Sequence, residues 1–219
     1  MALNKSEQNN FCYDNADKSN KNFRYNNFFK AKCYACDFSN SHFEYASFRG
    51  AHFKKCNFFR GNFTCAEFIG SNLKGSKFKE AKFSNTIFEG ANLNGVDFNG
   101  AKFNKTIFVG CDLSSSKNLN LNHPEIKIFD SMPELNISDE LKDAINVAME
   151  NEYVKRSRIF DTKDGDINGL TFMLLSELFD EKTLIEGMHY LKFEVDKDFY
   201  TLSSVSYTHL RAHETELHL

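Results

Sequence analysis

Every fifth residue from Phe23 to Leu113 is large and apolar, without a slip. Of these nineteen positions fifteen are Phe, three are Leu (Leu73, Leu93, Leu113) and one is Cys33. A period of five matches neither the two-residue alternation of a strand nor the 3.6-residue turn of a helix. It rules out an ordinary sheet or helical bundle over these residues. What remains is a repeat architecture in which short units stack on one another.

A second rule accompanies the first. Two residues before each centre, from Ala31 to Ser116, all eighteen side chains are Gly, Ala, Ser, Thr, Cys or Val; only Lys21 and Asn26 break it. The residue between is usually polar, as at Asp37, Asn57, Asn72, Asn92, Asp97 and Asp112. The unit is small–polar–Phe/Leu–x–x, clearest at Ala66–Phe68 (AEF), Ser71–Leu73 (SNL), Ala91–Leu93 (ANL), Val96–Phe98 (VDF) and Cys111–Leu113 (CDL).

This unit resembles that of the pentapeptide repeat family, A(D/N)LXX, over residues 21–117. The resemblance implies an all-β solenoid: a right-handed quadrilateral β-helix with one repeat per side and four per coil. Twenty residues then return the chain to the same face. Inward files follow, such as Phe23/Phe43/Phe63/Phe83/Phe103 and Cys33/Phe53/Leu73/Leu93/Leu113. Nearly five coils at about 4.8 Å each make a rod roughly 23 Å long.

The beat bounds the domains. Residues 1–20 are expected to be an N-terminal cap, 21–122 the β-helix, 123–137 a linker after His123–Pro124, and 138–204 a small α-rich domain. In that domain Ser138 suits an N-cap, followed by Asp139 and Glu140 in the first turn. Leu141, Ile145, Met149 and Tyr153 give an apolar stripe. Residues 170–179 and 182–190 read as helices and 191–195 as a strand. Val205–Thr215 (VSYTHLRAHET) resembles one reading frame of a transposase sequencing adapter. Residues 205–219 are therefore set aside, with His209, His213 and His218, and the α-rich domain is expected to be cut short.

Charge is asymmetric. Residues 21–115 hold 14 Lys and Arg against seven Asp and Glu, a net +7; residues 116–204 hold 10 against 18, a net −8. No apolar run has transmembrane length, and Met1–Asn10 lacks a signal peptide's apolar core. A soluble cytoplasmic protein is expected.

Cys33 and Cys36 form a CxxC, and Cys36 should stack on Cys56. A redox or metal site is one reading. All three occupy inward positions, where Cys serves as a small hydrophobe, and a single CxxC is weak evidence for zinc. Cys65 is expected to face outward as an exposed thiol. Asp164-Gly-Asp166-Ile-Asn168-Gly169 resembles the start of a calcium loop, but position twelve would be Leu175. A turn capping a helix is the simpler reading. His42 and His52 lie on different faces as solvated surface. No catalytic, metal or cofactor constellation emerges, so an enzyme is not expected.

The expected function is a non-enzymatic interaction scaffold. Ile69, Ile87, Ile107 and Val109 should share one outward side, with Phe29 nearby, and clustered apolar surface marks an interface. This side is expected to dock a partner protein, a second copy of the chain or the chain's own C-terminal domain. Lys54, Lys55, Arg60, Lys74, Lys77 and Lys79 cluster over two adjoining sides and admit nucleic acid or an acidic protein as alternatives. The resemblance also brings in a subgroup that mimics duplex DNA and protects DNA gyrase from quinolones. Such a mimic of 23 Å would want about 13 negative charges, against the +7 found here.

Overall fold

The computed structural model of the chain describes residues 11–134, 136–162 and 164–206. Residues 1–10 of the expected N-terminal cap over 1–20, and residues 207–219 of the tail set aside over 205–219, with its three histidines, lie outside them. Two compact units divide the chain, one ending at Asp130 and the other beginning at Ser131.

The first unit is a parallel β-solenoid of about six turns. Its strands are short: β1 Cys12–Asp14, β2 Lys32–Tyr34, β3 His52–Lys54, β4 Glu67–Ile69, β5 Lys82–Ser84, β6 Ile87–Glu89, β7 Lys102–Asn104, β8 Thr106–Val109 and β9 Ile126–Phe129. Each pairs with the residue twenty further on, as in Cys12↔Lys32↔His52 and Glu67↔Ile87↔Ile107↔Lys127. Single bridges continue the same ladders, giving four sides. The first carries β1–β3 and then Asn72 and Asn92. The second runs Asp17, Asp37, Asn57, Lys77, Asp97, Lys117. The third runs Asn22, His42, Asn62 and then β5–β7. The fourth runs Asn27, Ser47 and then β4–β6–β8–β9.

Each part of the five-residue unit has a physical task. Centre residues fill the interior; Phe43, Phe48, Phe53, Phe58, Phe63 and Phe68 are all fully buried. Their rings stack along each file, Phe43 on Phe63 at 4.9 Å and 2°, Phe48 on Phe68 at 4.5 Å and 14°. Neighbouring files meet edge to face, as Phe43 and Phe58 do at 76°. The small residue leaves room for those rings, and where it has a hydroxyl it satisfies a buried carbonyl. Ser76 Oγ donates to the Phe53 carbonyl at 2.7 Å and Thr86 Oγ1 to that of Phe63 at 2.8 Å. The preference for Asn and Asp is an Asx turn: the carboxyl or amide oxygen accepts from the N–H two residues on, as in Asp37 to Ser39 and Asn72 to Lys74.

The last residue of the unit carries a cost the beat does not reveal. It turns each corner with a left-handed backbone, φ +55° at Lys30 and Lys55 and +54° at Arg60. Glycine takes over at Gly70, Gly75, Gly90, Gly95, Gly100 and Gly110.

The ladder extends past both ends of the beat. It begins at Cys12, where Tyr13 sits in phase, and ends at β9 with Ile128 opposite Phe108. Backbone pairing needs only the twenty-residue count, which Asn118 and His123 preserve although they are not apolar. The expected linker 123–137 therefore contains a solenoid strand. At this last rung the core opens, and Ile128 is 40% exposed.

The second unit is helical: α1 Asp139–Ala148, α2 Glu152–Ser157, α3 Gly169–Ser176, α4 Glu181–Glu194 and α5 Leu202–Val205. Ser138 caps α1 by accepting from the Leu141 N–H. The expected stripe is broken after Ala148, because Asn151 starts α2. Asn151 caps α2 and donates to the carbonyls of Lys192 and Val195, both at 3.0 Å. The strand expected over 191–195 is instead the end of α4. Leu184, Met188 and Leu191 follow helical spacing into one core with Leu141 and Ile145. Val205 is fully buried in the same core.

Phe63→Ala should cost about 3–5 kcal/mol in urea denaturation, and Phe63→Leu markedly less, since Leu already serves at centre positions. Phe103→Ala, on a half-buried end rung, should cost less than Phe63→Ala; equal losses would contradict the stacked-file account.

Candidate interaction faces

The buried thiols come first, because they decide whether the solenoid carries chemistry. None of the six cysteines is in a disulfide. Cys56 Sγ lies 3.7 Å from the Cys33 carbonyl and Cys111 Sγ 3.5 Å from that of Phe88. These are the positions at which Ser76 and Thr86 donate, so the cysteines do a hydroxyl's task in the core. Burial pushes the Cys33 and Cys56 thiols up to about 12. Such thiols are poor nucleophiles and poor ligands at neutral pH. Among the described residues no group of three or more His, Cys, Asp or Glu is placed to hold a metal ion.

Cys65, expected at the surface, is buried at 3% exposure; Cys12 is the exposed thiol. The calcium-like segment is a turn. Gly165 takes φ +92°, Asn168 caps α3 by accepting from the Thr171 N–H, and Asp161 pairs with Ile167.

The fourth side brings the four apolar candidates together. Ile87 and Ile107 are paired neighbours in one file, and Ile69 and Val109 flank Glu89 in the next. They face away from the solenoid interior, yet Ile87, Ile107 and Val109 are buried, at 8%, 5% and 2% exposure; Ile69 is half-buried. Burial pushes the Glu89 carboxyl above its ordinary range, partly opposed by Arg49.

The third side holds a polar knot that spacing alone did not suggest. Glu44 Oε1 accepts from Arg24 at 2.9 Å and Asn62 at 2.8 Å, with His42 Nδ1 at 3.2 Å. Burial opposes ionisation of Glu44, but Arg24 foremost, its own backbone N–H and His42 hold its carboxyl below its ordinary value. His42 takes part in this knot while remaining exposed, as the sequence placed it. His52 is exposed on the first side.

The six basic candidates do lie on two adjoining sides, in different electrostatic settings. On the second side, Arg60 pairs with Glu80 at 2.7 Å and stacks on Phe59 at 4.7 Å. Lys79 lies 3.6 Å from Asp97, and Lys77 bridges Asn57 and Asp97 in the ladder. Burial works against the Asp97 carboxylate, yet Asn118, the Asn99 N–H and Lys79 hold it below its ordinary range. On the first side, Lys54 and Lys74 share one file with Tyr34. Lys55 Nζ donates to the Tyr34 hydroxyl at 2.7 Å and lies over its ring. Across residues 32–35, 52–55 and 72–75 this side holds four lysines and no carboxylate.

In the native protein a maleimide should label Cys12 rapidly and spare Cys33 and Cys56. Because their folded pKa is raised, protonated thiols favour the native state up to about pH 9, and this contribution declines as pH rises toward 12. The urea midpoint should therefore fall above pH 9, less steeply in Cys56→Ser; labelling of all thiols at equal rates would contradict it.

The pentapeptide repeats family model matches residues 36–75 and 76–114, with eight copies. No curated protein matches. Among solved structures, the chain is similar to QnrB1, a plasmid-mediated fluoroquinolone resistance protein (21% identity, 48% of this chain, TM-score 0.29). It spans 57% of that structure's length. It is also similar to a pentapeptide repeat protein of the Arabidopsis thaliana thylakoid lumen (19% identity, 74% of this chain and 90% of the other, TM-score 0.35). A third is HetL, involved in heterocyst differentiation in Nostoc (17% identity, 52% of each chain, TM-score 0.27). Among the described residues no helix is long and apolar enough to cross a membrane. Residues 36–114 are the part of the chain that the family model matches, and they are pentapeptide repeats in sequence and in fold.

Proposed function

We propose that the chain is a non-enzymatic scaffold that binds a partner protein on the basic first side of its solenoid and the adjoining edge of the second. The observation that carries this reading is the first side itself: four lysines on three successive rungs, no carboxylate among them, and Lys32, Lys55 and Lys74 exposed. In-register rungs hold these side chains on a preformed surface, which lowers the ordering cost of binding. The apolar fourth side is a less suitable free face, since three of its four apolar residues are buried.

The raised pKa values of Cys33 and Cys56 support a structural reading of the thiols rather than a catalytic one. Reduced thiols also suit the cytoplasm. A gyrase-binding DNA mimic is disfavoured, because the first side presents positive charge where duplex DNA carries phosphates.

A photocrosslinking residue placed at Lys54 or Lys77 should join one protein species that the same residue at Lys82, on the third side, does not. That protein, purified, should rebind the native chain and bind Lys54→Glu/Lys74→Glu about tenfold more weakly or worse. Equal capture from all three positions, or rebinding indifferent to the charge reversal, would contradict the reading.

A further inference from the structure

We infer that the first side seats an acidic α-helix of the partner, lying along the solenoid axis. The inference rests on the scaffold reading above and names the chemistry of what is held.

Charge selects the sign. On the second side Glu80 and Asp97 already answer Arg60 and Lys79. On the first side Lys32, Lys54, Lys55 and Lys74 have no carboxylate interleaved, and the acids of that side, Asp14 and Asp112, stand at its two ends. Lys54 and Lys55 stand mid-face, one rung further from Asp14 than Lys32.

Geometry selects the helix. Rungs of the solenoid rise about 4.8 Å each. One face of an α-helix returns every 5.4 Å, with residues at i, i+4 and i+7 on one stripe. From the rung of Lys32 to that of Lys74 the axial mismatch is only about 1 Å; Lys32 stands beside the Lys54–Lys74 file, two residues along its strand, and its stem spans that offset of about 6.8 Å. A row of Glu at that spacing therefore meets Lys54 and Lys74 in one file, with Lys32 and Lys55 reaching in from the files beside it. An extended acidic strand along the axis fits less well, since its same-face residues recur at about 6.8 Å. Single-stranded nucleic acid binds on several exposed aromatic platforms; here there is Tyr34, whose ring is covered by the Lys55 ammonium at 5.2 Å.

The test uses the full chain at low ionic strength and fluorescence anisotropy with three labelled probes. One is an Ala-rich helical peptide of about 20 residues with Glu along a single stripe. The second has the same composition with Glu spread around the helix. The third is an oligo-dT of similar charge. The striped peptide should bind, weaken with salt, and bind at least about tenfold tighter than the spread peptide. Lys54→Gln/Lys74→Gln and the charge-reversed pair should each lose that binding, while Lys82→Glu, on the third side, should keep it. Circular dichroism shows that the variants are folded.

Equal binding of the two peptides would overturn the inference, because charge alone would then explain it. So would binding that survives both double variants. Tighter binding of oligo-dT than of the striped peptide would assign the face to nucleic acid instead. Failure of the striped peptide together with successful crosslinking from Lys54 would sink the helix and leave the protein scaffold standing.

Discussion

The solenoid depends on one event repeated along its length: a backbone N–H meets a carbonyl one coil away, with no slip in the count. Phe43 N–H reaches the Asn62 carbonyl at 2.8 Å, and Asn62 N–H the Ser41 carbonyl at 3.1 Å. Every such bond presupposes that twenty residues make one coil. Once they do, like residues fall above like, and ring stacking, buried hydroxyl bonds and Asx turns follow as ladders rather than isolated contacts. The period also makes the stability one-dimensional, since each rung leans chiefly on the rung before and after it.

Much of this was legible in the chain because the fold requires particular residue types at fixed intervals. Phe at the centre, a small residue two before it and Asn or Asp between are steric and hydrogen-bonding demands, and they leave a periodic trace. The thiols of Cys33, Cys36 and Cys56 could be placed in the core for the same reason. The ends were harder to read. Asn118 and His123 keep the count while breaking the residue rule, so a solenoid strand at Ile126–Phe129 left no apolar beat. The left-handed corners were announced only in part: glycine marks them at Gly70, Gly75 and Gly90, but Lys30, Lys55 and Arg60 adopt the same conformation without that signal. In the helical unit, Leu191 followed a helical stripe set by Leu184 and Met188, which a short apolar run cannot distinguish from a strand.

The faces show what periodicity withholds. Centre positions obey one rule from Phe23 to Leu113, whereas outward positions are free to vary, and it is there that the four sides differ. Ile87 and Ile107 are outward by their phase and are nevertheless buried. Cys65 likewise. The basic residues separated into two kinds only once the twenty-residue neighbours were known: Arg60 and Lys79 answer acids one coil away, while Lys54 and Lys74 lie on a side with no acid across their rungs. A single net charge for the segment hides that distinction, and with it the contrast between a neutralised face and one able to attract an acidic partner.

The central claim is that twenty residues, and no other small number, form the unit of this fold. Its most direct test compares two deletions by thermal unfolding monitored with circular dichroism. Removal of residues 82–101 takes out one whole coil and joins Ala81 to Lys102 in phase; removal of Asn85 alone puts every later rung out of phase. The account predicts a cooperative, β-rich transition for the coil deletion and a broad or much lowered one for the single deletion. Loss of cooperative folding in the coil deletion, with the single deletion unaffected, would contradict it.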